Sequence, residues 1–183
     1  MNETLDLLDG PFHDVSQGVI EGQYALWLGS GISRDRVVGL DGVLAKLIEF
    51  PRSHVTSDQN CAHRTALEKV LDLAVPSEEE RAQIDINQPA EAWPCLPKLL
   101  ARLGNQYADV LSIEVGTEKL DYLLWVALDF PNTFASQAPD AEHLAIGMLA
   151  LEGVVTEIAT ANWDGLLEAA LSELGGVDEF DQA

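Results

Sequence analysis

The chain is short of positive charge. Its 183 residues carry 10 Lys and Arg against 31 Asp and Glu, a formal net charge of −21. A surface of that sign repels DNA, RNA and anionic lipid, which argues against the chain as a direct reader of nucleic acid. Cysteine is scarce as well. Cys61 and Cys95 stand alone with no C-x-x-C partner, so they make no zinc site and fit a reducing compartment. The four histidines (His13, His54, His63, His143) show no metal-ligand spacing, and no metal is expected. No apolar run approaches the ~18 residues a bilayer span needs, and the start, "MNETLDLLDGPFHD", lacks the basic segment of a secretory signal. A cytoplasmic, soluble protein without a membrane partner is the expectation. The hydrophobic fraction of 47% and the length suit one domain with a real core.

What is present is mostly helical periodicity. "HDVSQGVIEG", 13 to 22, reads as a short amphipathic helix closed by Gly22. Over 40 to 50 the spacing of Leu40, Val43, Leu44, Leu47 and Ile48 predicts a helix that Pro51 ends. "AHRTALEKVLDLAV" is helical up to Pro76, and Ser77 with Glu80 three positions on has the pattern of a capping box. The region from about 60 to 130, including an apolar helix over 117 to 130 that stops at Pro131, reads as helical material inserted between two halves of something else. A helix over 139 to 153 starts with a proline and ends at Gly153; one beginning near Trp163 is closed by Gly175 and Gly176.

Two short apolar runs interrupt this pattern, Tyr24 to Leu28 and "VVTEIATA" at 154 to 161, and both predict buried strands. Each runs into an unusual turn and then a helix. That order is the grammar of an open parallel α/β sheet, in which ligands sit beyond the carboxyl ends of the strands. The first turn, Gly29-Ser30-Gly31-Ile32-Ser33, brings mostly backbone. Glycine there either allows a tight turn with positive φ, or leaves successive bare N–H groups as a concavity for a phosphate. Arg34 and Arg36 stand beside it in a chain with few bases. The second turn, "TANWDG", holds a carboxamide at Asn162 and a carboxylate at Asp164. Asp164 can cap the following helix with Asn162 holding the turn, or both can serve a ligand.

Taken together, these motifs resemble the sirtuin family and its wider SIR2-like relatives. The family runs from a strand into G-A-G-I-S, where this chain has Gly29-Ser30-Gly31-Ile32-Ser33. It then has a helix opening P-N-x-x-H, a strand, and T-Q-N-I-D-G. This chain has Pro139-Asp140-Ala141-Glu142-His143, a strand, and Thr160-Ala161-Asn162-Trp163-Asp164-Gly165. The T-x-N-W-D form looks more like the bacterial NAD-cleaving proteins of phage defence than like the protein deacylases. The resemblance implies a Rossmann-like α/β sheet that binds NAD as substrate, with core elements at 23–50 and 139–175. It implies that the backbone of Gly29 to Ser33, Ile32 included, holds the pyrophosphate, with the Ser30 and Ser33 hydroxyls in reach of phosphate or ribose. It places Thr160, Asn162, Trp163 and Asp164 at the nicotinamide end. Asn162 would position the ribose or a water as nicotinamide leaves, and Asp164 would contact the nicotinamide amide or hold the loop. His143 falls on a position read as structural, packing its helix under the second turn.

The chain also departs from the family. After the serine, sirtuins continue S-G-I-P-D-F-R; here the run is Arg34-Asp35-Arg36-Val37-Val38-Gly39-Leu40, so Arg34 or Arg36 takes the place of the missing arginine. The family's general-base histidine lies after the T-x-N-x-D motif, and no histidine follows His143. The expectation is therefore the N-terminal part of a longer SIR2-like domain, with "GGVDEFDQA" at 175 to 183 as a loose tail. NAD hydrolysis in anti-phage defence is the leading function, by the full-length protein, with this chain inactive alone. A non-catalytic NAD or ADP-ribose-binding module and an NAD-dependent deacylase are the alternatives. A second copy of the chain or a defence-system protein is the expected macromolecular partner.

Overall fold

A computed structural model describes residues 3–134 and 138–175, so the tail from Gly176 to Ala183 lies outside the described residues. Along the chain run α1 (Glu3–Leu8), α2 (His13–Ile20), β1 (Leu26–Leu28), α3 (Leu40–Ser53), α4 (Ala62–Ala74), α5 (Glu78–Arg81), α6 (Leu96–Leu103) and α7 (Tyr107–Leu111). After a π-helical turn at Leu123–Ala127 come α8 (Phe130–Phe134), α9 (Ala141–Leu151), β2 (Ile158–Thr160) and α10 (Leu166–Gly175). The elements fall into two compact units, one of Val38–Thr133 and one of Met1–Val37 with Phe134–Ala183. No helix among the described residues is long and apolar enough to cross a membrane.

The Val38–Thr133 unit is helical and holds the deeper core. The expected stripe of α3 (Val43, Leu44, Leu47, Ile48) is buried, and α3 packs against α4 and α6. Leu44, Leu47, Ile48, Val70, Leu99 and Leu103 are fully buried there, each contributing about 1.5–3 kcal/mol by leaving water. Helix α3 does not stop at Pro51 but runs to Ser53. The proline falls in the last turn, and the amides beyond it still find carbonyls, His54 N–H to Pro51 O and Val55 N–H to Arg52 O. The helix expected over 117 to 130 likewise breaks elsewhere. Asp129 takes a left-handed φ of 48°, and Pro131 sits in the first turn of α8, where its missing N–H costs nothing.

The predicted capping box forms. Ser77 Oγ accepts from the Glu80 amide at 3.2 Å, and Glu80 Oε2 accepts from the Ser77 amide at 2.9 Å. Arg102 donates to Glu80 Oε1 and to the Ala74 and Val75 carbonyls, tying α6 to the end of α4. The Arg102 bond is the chief cause of the lowered Glu80 pKa, with the Ser77 amide next. Ser77→Ala should cost about 1 kcal/mol, seen as a melting temperature about 4–8 °C lower. An unchanged melting curve would show that the box adds nothing.

The other unit contains the sheet. Strands β1 and β2 are parallel neighbours in the register Leu26↔Ile158, Trp27↔Ala159, Leu28↔Thr160. They are shorter than the apolar runs that announced them, and they are not buried. Trp27 is 78% exposed and its partner Ala159 is exposed, because among the described residues this face of a two-stranded sheet has nothing packed on it. Helix α9 lies on α10 at close range. A Cβ on Gly147 would stand 3.0 Å from Leu174 Cδ1, so glycine is what permits that approach. Gly22 (φ +68) and Gly153 (φ +72) turn the chain after α2 and α9, as the sequence suggested.

Candidate functional site

Because β1 and β2 are adjacent and parallel, their carboxyl ends lie side by side. The glycine turn and the T-A-N-W-D turn therefore leave the same edge of the sheet. Ala161 N–H donates to Leu28 O at 3.3 Å, and Asn162 N–H donates to the Thr160 hydroxyl at 3.1 Å. That local turn aims the Asn162 side chain back at the first turn. Its Nδ2 donates to Gly29 O at 3.3 Å and to Ser33 Oγ at 3.2 Å.

Below Asn162 the bonds continue inward. Ser33 Oγ lies 3.2 Å from His143 Nε2, and both residues are only 1% exposed. His143 Nδ1 lies 2.7 Å from Asp140 Oδ1. Asp140 is the N-cap of α9, accepting from the amides of Glu142 and His143. Its second oxygen is 3.4 Å from Arg36 Nε. The side-chain bond from His143 is the largest of the causes that hold the Asp140 carboxyl down at about 2. One acceptor remains over. Asn162 Oδ1 is buried and has no hydrogen-bond partner, a state that costs roughly 1–3 kcal/mol unless a donor arrives.

The two turn glycines are explained neither by conformation nor by packing. Gly29 and Gly31 are not among the glycines with positive φ, and a Cβ on either would meet nothing within 4 Å. What their missing side chains leave is open space against bare backbone. The amides are less available than the sequence suggested. Those of Ile32, Ser33 and Arg34 bond back to Gly29, Ser30 and Gly31 carbonyls at 3.3, 3.2 and 3.5 Å. These bonds are longer than the usual ~2.9–3.0 Å. Among the described residues the Ser30 and Gly31 amides donate to no backbone carbonyl, so the N–H concavity narrows to that pair.

The charges around the turn are mixed. An open cleft of about 200 Å³ is lined by Gly31, Ile32, Arg34, Asp35, Asp140, Ala141 and Glu142. Its three carboxylates oppose a bound anion, and Arg36 is engaged with Asp140, so Arg34 is the base left to meet a phosphate. Two other expected site residues have structural partners. Asp164 Oδ1 accepts from the Leu166 amide at 3.3 Å and so caps α10. Trp163 stands edge-on to Phe134, with ring centroids 5.7 Å apart.

The structure thus brings together Gly29, Ser33 and Asn162, and adds Asp140 as a partner of His143 that the sequence reading did not assign. A signal for it was there. An aspartate at a helix start with a histidine three positions on places a carboxylate and an imidazole on one turn. A second polar cluster lies in the helical unit, where the His54 and His63 rings stack at 5.1 Å. Among the described residues no group of acidic, histidine or cysteine side chains could hold a metal ion. No protein-family model matches the chain, and no curated protein or solved structure matches it.

Proposed function

We propose that the sheet-bearing unit binds NAD as substrate at the paired turns and belongs to a SIR2-like hydrolase that releases nicotinamide and ADP-ribose, acting in the cytoplasm in defence against phage. The observation that carries this reading is the unpartnered Asn162 Oδ1, on a side chain whose Nδ2 donates to Gly29 O and Ser33 Oγ of the glycine turn. A ribose hydroxyl or an attacking water is the donor that such an acceptor lacks. In the hydrolysis the bond between ribose C1 and the nicotinamide nitrogen breaks, and its electron pair leaves on nicotinamide. Positive charge builds on the ribose, a water oxygen bonds to C1, and that water's proton passes to solvent. The Asn162 carbonyl dipole can stabilise the cationic ribose or orient the water. Arg34 and the free Ser30 and Gly31 amides would hold a phosphate against the acidic cleft. A second copy of the chain or a defence-system protein would be the assembly partner.

Binding without cleavage is favoured by one observation. The only histidine in this constellation, His143, is buried with both ring nitrogens engaged, so it is not free to take the water's proton. Calorimetry with NAD, run beside an assay for released nicotinamide, separates the readings. Heat of binding with release supports the hydrolase, and binding without release supports the module. Absence of both heat and release overturns the assignment of NAD to this site.

A further inference from the structure

We infer that Asp140, His143 and Ser33 form a directed hydrogen-bond relay whose function is to fix which atom of Asn162 faces the site. They are positioning residues, and Arg36 anchors the outer end of the relay through Asp140. The direction follows from the chemistry of each partner. Asp140 is a carboxylate, able only to accept, so the proton between it and His143 sits on Nδ1. In neutral imidazole Nε2 is then an acceptor, and the Ser33 hydroxyl must donate to it. With its proton spent inward, Ser33 Oγ offers only lone pairs to Asn162, which answers with Nδ2–H. Gly29 O, also acceptor-only, selects the same amide orientation. Both neighbours leave Oδ1 as the atom without a partner.

The relay therefore fixes Oδ1 as an acceptor, and any group that comes to pair with it must be a hydrogen-bond donor. Swapping the His143 tautomer would reverse the order. Nε2–H would donate to Ser33, the serine proton would turn outward, and it would compete with Asn162 Nδ2–H for the same space. This inference rests on Asn162 being the residue that meets the ligand, as proposed above, but its test needs no NAD.

Long-range proton–nitrogen NMR on the ¹⁵N-labelled chain reads the tautomer directly, with His143→Gln identifying the resonance. The expected result is a proton on Nδ1 and none on Nε2. A proton found on Nε2 overturns the relay. Ser33→Ala should leave the His143 tautomer as it is, showing that the fold survives, and should speed exchange of the Asn162 side-chain amide protons by about tenfold through loss of one acceptor. Asp140→Asn keeps a competent helix cap and should shift the Asn162 amide resonances across the two intervening residues, His143 and Ser33. Resonances that stay in place in both variants overturn the coupling. If the tautomer is as expected and the hydrolase proposed above cleaves no NAD, the relay stands and the hydrolase falls.

Discussion

Asn162→Ala, placed in the hydrolase proposed above, should reduce nicotinamide release from NAD by about 10²–10³-fold, the loss typical when one preorganised polar group is removed from a developing charge. The melting temperature should move little in comparison. The alanine removes two donated bonds, to Gly29 O and Ser33 Oγ, but Ser33 keeps its bond to His143. It also removes the orphaned Oδ1, relieving a buried acceptor with no partner. The stability cost should therefore be about 1 kcal/mol or less. Asn162→Asp is the sharper control. It retains the Oδ1 acceptor but sets a second carboxylate oxygen against Gly29 O, where Nδ2 donated, so it should destabilise the unit more than alanine does while also losing activity. Full turnover in Asn162→Ala would remove Asn162 from the mechanism. Lost turnover together with a collapsed melting curve would show only that the residue is structural.

Much of this molecule could be read from residue spacing, and the failures share one cause. Helical stripes such as Val43-Leu44-Leu47-Ile48, the Ser77–Glu80 box and the turns at Gly22 and Gly153 are local, and local rules find them. At Pro51 and Pro131 the effect of proline on a helix depends on its position within the turn, which spacing alone does not fix. The two apolar runs predict buried strands and form strands that are not buried, because sequence reports apolarity and not what covers it. Trp27 is apolar and exposed all the same.

The site shows the same division. That the two turns meet follows from parallel pairing, and the pairing follows from the strand–turn–helix order. That three turn amides are spent internally, that Arg36 turns to Asp140 and that Asp164 caps α10 are decided by angles no residue pattern contains. Asp140 reads from sequence as an ordinary helix cap, and only the position of Ser33, 110 residues before His143, links that cap to the second turn.

The question of why glycine stands at positions 29 and 31 can be put to a direct test. A glycine kept for a left-handed backbone loses stability on gaining a Cβ, and one kept for close packing creates a clash. Neither applies to Gly29 or Gly31, whose φ values are ordinary and whose Cβ positions are open. Gly29→Ala and Gly31→Ala should therefore leave the fold intact, and each should stabilise it by about 0.4–1 kcal/mol by restricting the unfolded chain. Binding should move the other way. If a dinucleotide lies against this backbone, each added methyl occupies space the ligand needs, and NAD affinity by calorimetry should fall by about 10- to 200-fold. The pairing of a higher melting temperature with weaker binding is the signature, because a structural glycine cannot give both. An alanine pair that binds NAD as the wild type does would mean that the open space is not where the phosphates go, and the assignment of the first turn would fail while that of Asn162 could still stand.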